Sequence, residues 1–195
     1  MRQVATIKTY GTFEELPKEC QAKEFEKFRD INVSYDWHDD SVSDFKDALE
    51  VLGFKNVKIE FTGFWSQGDG ASFTGEFYLP SDSDTLEMRL TKFIDEYPWI
   101  YKSNKNLLDS FLAFDLSEEI KEEVYKLEVY RIGHRYSHSN TITCDNESVK
   151  EFARSFSDLI YRNLEKEYED LTSDEQVKET LIANEYEFLI SEVEA

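Results

Sequence analysis

Val57-Lys58-Ile59-Glu60-Phe61-Thr62 and Ser72-Phe73-Thr74-Gly75-Glu76-Phe77-Tyr78-Leu79 are the two runs whose reading decides the fold. Val57, Ile59 and Phe61 alternate with Lys58, Glu60 and Thr62, and Phe73, Phe77 and Leu79 alternate with Ser72, Thr74, Glu76 and Tyr78. Alternation of this kind puts every apolar side chain of an extended segment on one face, so the pair reads as a hairpin with one face buried. Pro80 ends the second strand, because it has no backbone N–H to give to a ladder. The connection holds Gly63, Gly68 and Gly70, which allow a shaped loop, with Trp65 at its base and Gln67 and Asp69 carried outward.

A second hairpin is predicted from Val124–Ile132 and Thr141–Cys144, with Gly133-His134-Arg135-Tyr136-Ser137-His138-Ser139-Asn140 as its tip. Two hairpins with one apolar face each assemble most simply into an antiparallel sheet of about four strands covered by helices, an α+β fold. With both tips at one end of the sheet, Trp65, Gln67 and Asp69 would approach His134, Tyr136 and His138. These six are the candidate recognition residues of the loop tips.

Helical spacing accounts for most of the remainder. Residues 4–10 alternate as a short first strand, after which Thr12 and Glu15 form a capping box for a helix through Ala22, Phe25 and Phe28 to about Asp30, with Pro17 in its first turns. Val42, Phe45, Ala48, Leu49 and Leu52 mark a helix closed by Gly53. Leu86, Leu90, Phe93, Ile94 and Tyr97 mark another, interrupted at Pro98, and the dense apolar run Trp99–Phe114 follows as a helix beneath the sheet. Asn146 or Asp145 caps a helix whose stripe is Val149, Phe152, Phe156, Leu159, Ile160 and Leu164. A last helix is predicted from Ser173 to Glu194, giving a helical, acidic C-terminal part over about 147–195 that docks on a single domain of residues 1–195.

The chain has 195 residues, 40% of them apolar, enough for a real core. Its 42 acidic and 22 basic residues give a formal net charge of −20, which argues against direct binding to nucleic acid, since phosphate contacts need Lys and Arg. A basic partner is the complement. Aromatic content of 15% separates the chain from disordered acidic tails. No apolar run approaches the roughly 20 residues needed to span a bilayer, and the N-terminal residues lack a signal-like apolar core. Cys20 and Cys144 have no metal or disulfide spacing and read as reduced thiols of a cytoplasmic protein.

The C-terminal residues carry the charge most densely. Glu167–Ala195 contain ten acids and one base, Lys178. A helix from Ser173 to Glu194 would run about 33 Å at ~1.5 Å per residue. Asp174, Glu175, Glu179, Glu185 and Glu187, with Glu192 and Glu194, would space carboxylates about every 5 Å along it, the same order as the phosphates of DNA. Asp174, Glu175, Glu179, Glu185 and Glu187 are therefore the candidate acidic binding face.

Chemistry finds less support. The glycine loop lacks the lysine and Ser/Thr of a phosphate-binding loop. His38-Asp39-Asp40 holds metal-ligating residue types, but consecutive side chains diverge. Asp69, His134 and His138 supply a two-His-one-carboxylate set for a metal-dependent hydrolase, with the histidines four apart in a hairpin tip rather than on a helix. Neither cysteine nor serine sits in a nucleophile motif. The reading is of a non-enzymatic protein needing no cofactor and no resident metal.

Phe61-Thr62-Gly63-Phe64-Trp65-Ser66-Gln67-Gly68-Asp69-Gly70-Ala71-Ser72-Phe73 resembles the signature of a family of small phage and prophage proteins, often labelled antitoxin-like. Gly133–Thr141 is similar to that family's second recurring segment. The resemblance implies a phage or mobile-element origin and an accessory role in the cytoplasm of a host cell. Joined to the charge, it leads to the expectation of a protein that binds and inhibits a basic host protein, of the anti-CRISPR or anti-restriction type, with DNA mimicry as the means. An antitoxin for a cognate toxin and a metal-dependent hydrolase are the alternatives.

Overall fold

Phe54 shows how the sheet is built. It precedes the alternating run by an odd number of residues and in a regular strand would face away from Val57, Ile59 and Phe61. In the computed structural model, which describes residues 6–66, 68–114, 116, 124–129 and 142–194, Phe54 is fully buried on the same face. An irregularity between Lys55 and Lys58 inserts one extra residue opposite Gly75, with Asn56 in the left-handed region at φ 54°. Such a bulge switches the facing of all preceding residues. Gly75 suits the close approach opposite it: a Cβ there would lie 3.0 Å from the Lys55 carbonyl oxygen, a tight contact.

The chain packs as two units, residues 38–165 and residues 1–37 with 166–195. In the larger unit, helix α2 (Asp39–Val51) leads into strands β2 (Phe54–Phe61) and β3 (Ala71–Tyr78). Helices α3 (Leu86–Glu96), α4 (Pro98–Ser103) and α5 (Lys105–Phe111) follow, then strands β4 (Val124–Val129) and β5 (Ile142–Thr143). Helix α6 (Glu147–Leu171) begins in this unit. The sheet order is β2-β3-β4-β5, antiparallel throughout, the four-stranded sheet and α+β class expected from the two hairpins.

Aromatic rings fill the core. Phe54 stacks on Phe152 of α6 at 5.8 Å and 10°, and meets Phe73 at 5.4 Å and Phe77 at 4.9 Å. Phe111 reaches both Phe152 and Phe77, and Phe156 reaches Phe45 of α2. Each ring buries a large apolar area, and edge-to-face contacts add about 0.5–1.5 kcal/mol apiece. The stripes predicted for α2 and α6 are the buried ones, and Asn146 caps α6 by accepting from the Val149 N–H at 3.0 Å.

One buried cation ties strand to helix. Arg89 of α3, 6% exposed, donates to Asp84 Oδ2 from Nε at 3.0 Å and from Nη2 at 2.7 Å. It also donates to the carbonyls of Tyr78 (2.7 Å) and Leu79 (3.2 Å), so the end of β3 and the start of α3 share one guanidinium. Gly53, at φ +98°, lies against it: a Cβ there would be 2.0 Å from Nη1.

The smaller unit holds strand β1 (Thr6–Gly11), a 3-10 turn (Phe13–Glu15), helices α1 (Lys18–Phe28) and α7 (Asp174–Ala183), and strand β6 (Phe188–Glu194). The capping box at Thr12 and Glu15 is present but closes only the 3-10 turn. Pro17 forces Leu16 into an extended conformation, ψ 142°, and splits the single expected helix in two. Phe13, Leu16, Val177, Leu181 and Phe188 form the core.

The helix expected from Ser173 to Glu194 stops at Ala183. The Glu185 N–H bonds to the Ile182 carbonyl and the Tyr186 N–H to the Leu181 carbonyl, both at 3.0 Å, with Glu185 left-handed at φ 53°. This pairing is a Schellman stop, and the residues beyond it become β6, antiparallel to β1.

Candidate functional site

The loop between β2 and β3 is pinned at its neck and along its turn. Thr62 and Gly70 close the neck through Thr62 N–H to Gly70 O and Gly70 N–H to Thr62 Oγ1, both 3.0 Å. Asp69 Oδ2 accepts from the Ser66 N–H at 2.6 Å, and the Asp69 N–H donates to Ser66 O at 3.1 Å. Phe64, not Trp65, anchors the base: its ring lies 5.8 Å from Phe61 and 5.6 Å from Tyr161, and Tyr161 Oη donates to Gly63 O at 3.5 Å. Trp65 is 78% exposed at the tip. The Asp69 carboxylate, expected to point outward, holds the turn together instead.

Gln67, His134, Tyr136 and His138 lie outside the described residues. The strands that frame them are described. Gly75↔Leu127 and Tyr78↔Val124 register β4 antiparallel to β3, so β3 enters and β4 leaves the sheet at the end that carries the Gly63–Gly70 loop. Among the described residues no three His, Cys, Asp or Glu side chains are grouped to hold a metal ion. His38 lies edge-on to Phe61 at 4.9 Å and borders an open groove of about 490 Å³ with Asp39, Lys46 and Glu60.

The C-terminal acidic residues do not form one row. Asp174 and Glu175 occupy the first turn of α7, where carboxylates favour the positive end of the helix dipole, and Arg29 binds Asp174 at 2.5 Å. Glu179 accepts from Gln176 at 3.3 Å. Glu185 and Glu187 lie in the connection to β6. The 33 Å helix that would have spaced them like phosphates is replaced by a ten-residue helix and a strand.

A more regular acidic face is on α2. Asp40, Asp44, Asp47 and Glu50 are exposed and recur at intervals of three or four, on the side opposite Val42, Phe45, Ala48 and Leu49. No ion pair to any of the four exists among the described residues. Their field is felt at Tyr97: burial raises its phenol pKa first, and Asp47, Glu96, Asp44 and Glu50 raise it further. The spacing that revealed the buried stripe of α2 also holds this outward stripe, so the signal was present in the sequence.

Fold and surfaces define a mixed α+β protein with a hydrogen-bonded hairpin loop and an acidic face on α2. Residues 37–174 match the family described as a domain of unknown function (DUF8835), and the chain belongs to that family. No curated protein and no solved structure matches the chain. The matched region includes α2 and the Gly63–Gly70 loop and excludes Glu175, Glu179, Glu185 and Glu187. No helix among the described residues is long and apolar enough to cross a membrane.

Proposed function

We propose that this chain is a non-enzymatic acidic accessory protein of a phage or mobile element, which binds and inhibits a host protein with a basic, nucleic-acid-binding surface. The observation that carries the reading is the α2 face, where four outward carboxylates stand at helical spacing without an ion pair among the described residues. Unneutralised charge of this kind raises the rate of encounter with a cationic surface and falls in effect with salt. The formal charge of −20 acts over the same range. The resemblance of the Phe61–Phe73 stretch to phage and prophage proteins supports the origin, and its hydrogen-bonded loop with exposed Trp65 supplies an apolar contact of the kind found at interface hot spots.

The test is capture from host lysate followed by competition. The expected partner is a basic nucleic-acid-binding protein that is released by duplex DNA and by ~0.5 M salt, at which screening is nearly complete within a few ångströms. A partner that stays bound in both conditions would refute electrostatic inhibition, as would one without a basic surface.

A further inference from the structure

Strands β1 and β6 form a sheet of two, and among the described residues no third strand joins either of them. Phe188 ties one end of this ribbon into the core of the smaller unit. Beyond that end neither face of the ribbon is covered. Lys8, Thr9 and Tyr10 are exposed in succession on β1, and successive residues of a strand point to opposite faces. Leu189, Ile190 and Ser191 are exposed in succession on β6. Tyr10 and Leu189 stand opposite each other in the register, 56% and 45% exposed, an apolar cross-strand pair turned to solvent. A two-stranded ribbon without a covered face is marginal in water, and a third strand is what such a ribbon needs. Its outer edges also present a row of backbone N–H and C=O groups to any strand that approaches.

We propose that the outer edge of β6 accepts an extended, lysine- or arginine-bearing segment of a protein partner as a third strand. The inference goes beyond the function proposed above, whose carrying face is on α2, and stands or falls without it. The ladder fixes the conformation of the occupant, because an extended backbone is the one that meets a row of strand donors and acceptors in register. Charge selects the edge and the sequence. β6 carries Glu192 and Glu194 at alternate positions and no base, whereas β1 carries Lys8 and no acid. Opposite charges across a ladder stabilise it and like charges oppose it, so β6 favours a strand with cations at every second position over another β6. Pairing of β1 on one copy with β6 on the next would match the charges, but it repeats head to tail without closing. The exposed Leu189 and Ile190 supply apolar contact beside the ladder.

The experiment uses the full chain, isotope-labelled for NMR at ~0.15 M salt, and three eight-residue peptides. The first alternates lysine and valine, the second has glutamate in place of lysine, and the third is the lysine–valine peptide N-methylated throughout, which keeps the charge and removes every ladder donor. The lysine–valine peptide is expected to bind saturably and to slow hydrogen exchange at least about tenfold at alternate β6 amides between Leu189 and Val193. The glutamate–valine and N-methylated peptides are expected to bind at least about tenfold more weakly. Glu192→Lys/Glu194→Lys should reverse the preference, so that the glutamate–valine peptide binds more tightly than the lysine–valine peptide.

Equal affinity of the methylated and unmethylated lysine–valine peptides would overturn strand addition, as would changes confined to residues outside β1 and β6. An unaltered preference in the double variant would overturn the choice of β6. Slow exchange of the same amides without peptide, growing with protein concentration, would assign the edge to a second copy and overturn the partner strand.

Discussion

Replacing Arg89 by methionine tests the account of how the larger unit holds its sheet to its helices. The guanidinium makes four hydrogen bonds, two to Asp84 and one each to the carbonyls of Tyr78 and Leu79. Asp84, whose side chain is 54% exposed, regains water when the partner is lost, so the ion pair itself contributes little. The carbonyls are half-buried and lose their donor, at roughly 1–3 kcal/mol each. Methionine recovers part of this by filling the space with an apolar chain. The net loss is about 3 kcal/mol by urea unfolding followed at 222 nm, or about 6–12 °C in Tm for a protein of this size.

Acid dependence gives a second readout of the same contact. The Arg89 hydrogen bond, ahead of the opposing effect of burial, holds the Asp84 carboxyl below its ordinary range. A carboxylate with a lowered folded pKa contributes stability above its unfolded value, about 3.9, and loses it as pH falls through the folded value. The native protein should thus lose an increment of stability below about pH 4 that Arg89→Met lacks. A loss under about 1 kcal/mol at neutral pH, or identical acid profiles for the two proteins, would refute the reasoning.

Gly53→Ala should destabilise at least as much, because its Cβ would enter the Arg89 guanidinium at a backbone φ of +98° that side chains rarely adopt; the same urea transition measures it. Glu185→Gly should stabilise by about 0.5–1 kcal/mol, since glycine accepts the left-handed stop after α7 without steric cost, and a drop in midpoint would show that Glu185 makes compensating contacts. Asp69→Ala removes the acceptor of the Ser66 N–H, so exchange protection at that amide should fall by about tenfold while the core amides keep theirs. Burial, the largest influence, pushes the Cys144 thiol above its ordinary range, so alkylation at pH 7.5 should be slow in the native protein and fast in urea; native-rate labelling equal to the denatured rate would contradict it.

The parts of the fold that could be read in advance are those where a single segment reports its own burial. The β2–β3 hairpin, the core stripe of α2 and the stripe of α6 each carry a period matched to one buried face, and each occurs where expected. The site was less legible. Asp69 and Trp65 exchanged their anticipated roles because which side chain turns inward in a glycine-rich loop depends on bonds to Ser66 and packing on Tyr161, 98 residues away from Gly63. The acidic row at the C-terminus does not form because the helical spacing of Val177, Leu181, Asn184 and Phe188 runs on in the sequence past the point where the left-handed Glu185 and the β1 pairing turn the backbone into a strand.

Composition and periodicity alone determined that this chain has a net charge of −20, an aromatic core and a four-stranded antiparallel sheet under helices. They suffice because net charge is additive over residues and because one-sided burial imposes the same period wherever the segment lies. Tertiary structure decided the bulge that returns Phe54 to the core, the pairing of the first strand with the last, and the packing of Trp99 on Phe45 of α2. Those features depend on contacts between residues far apart in the chain, and no local pattern specifies which distant partner will supply the missing hydrogen bond or ring.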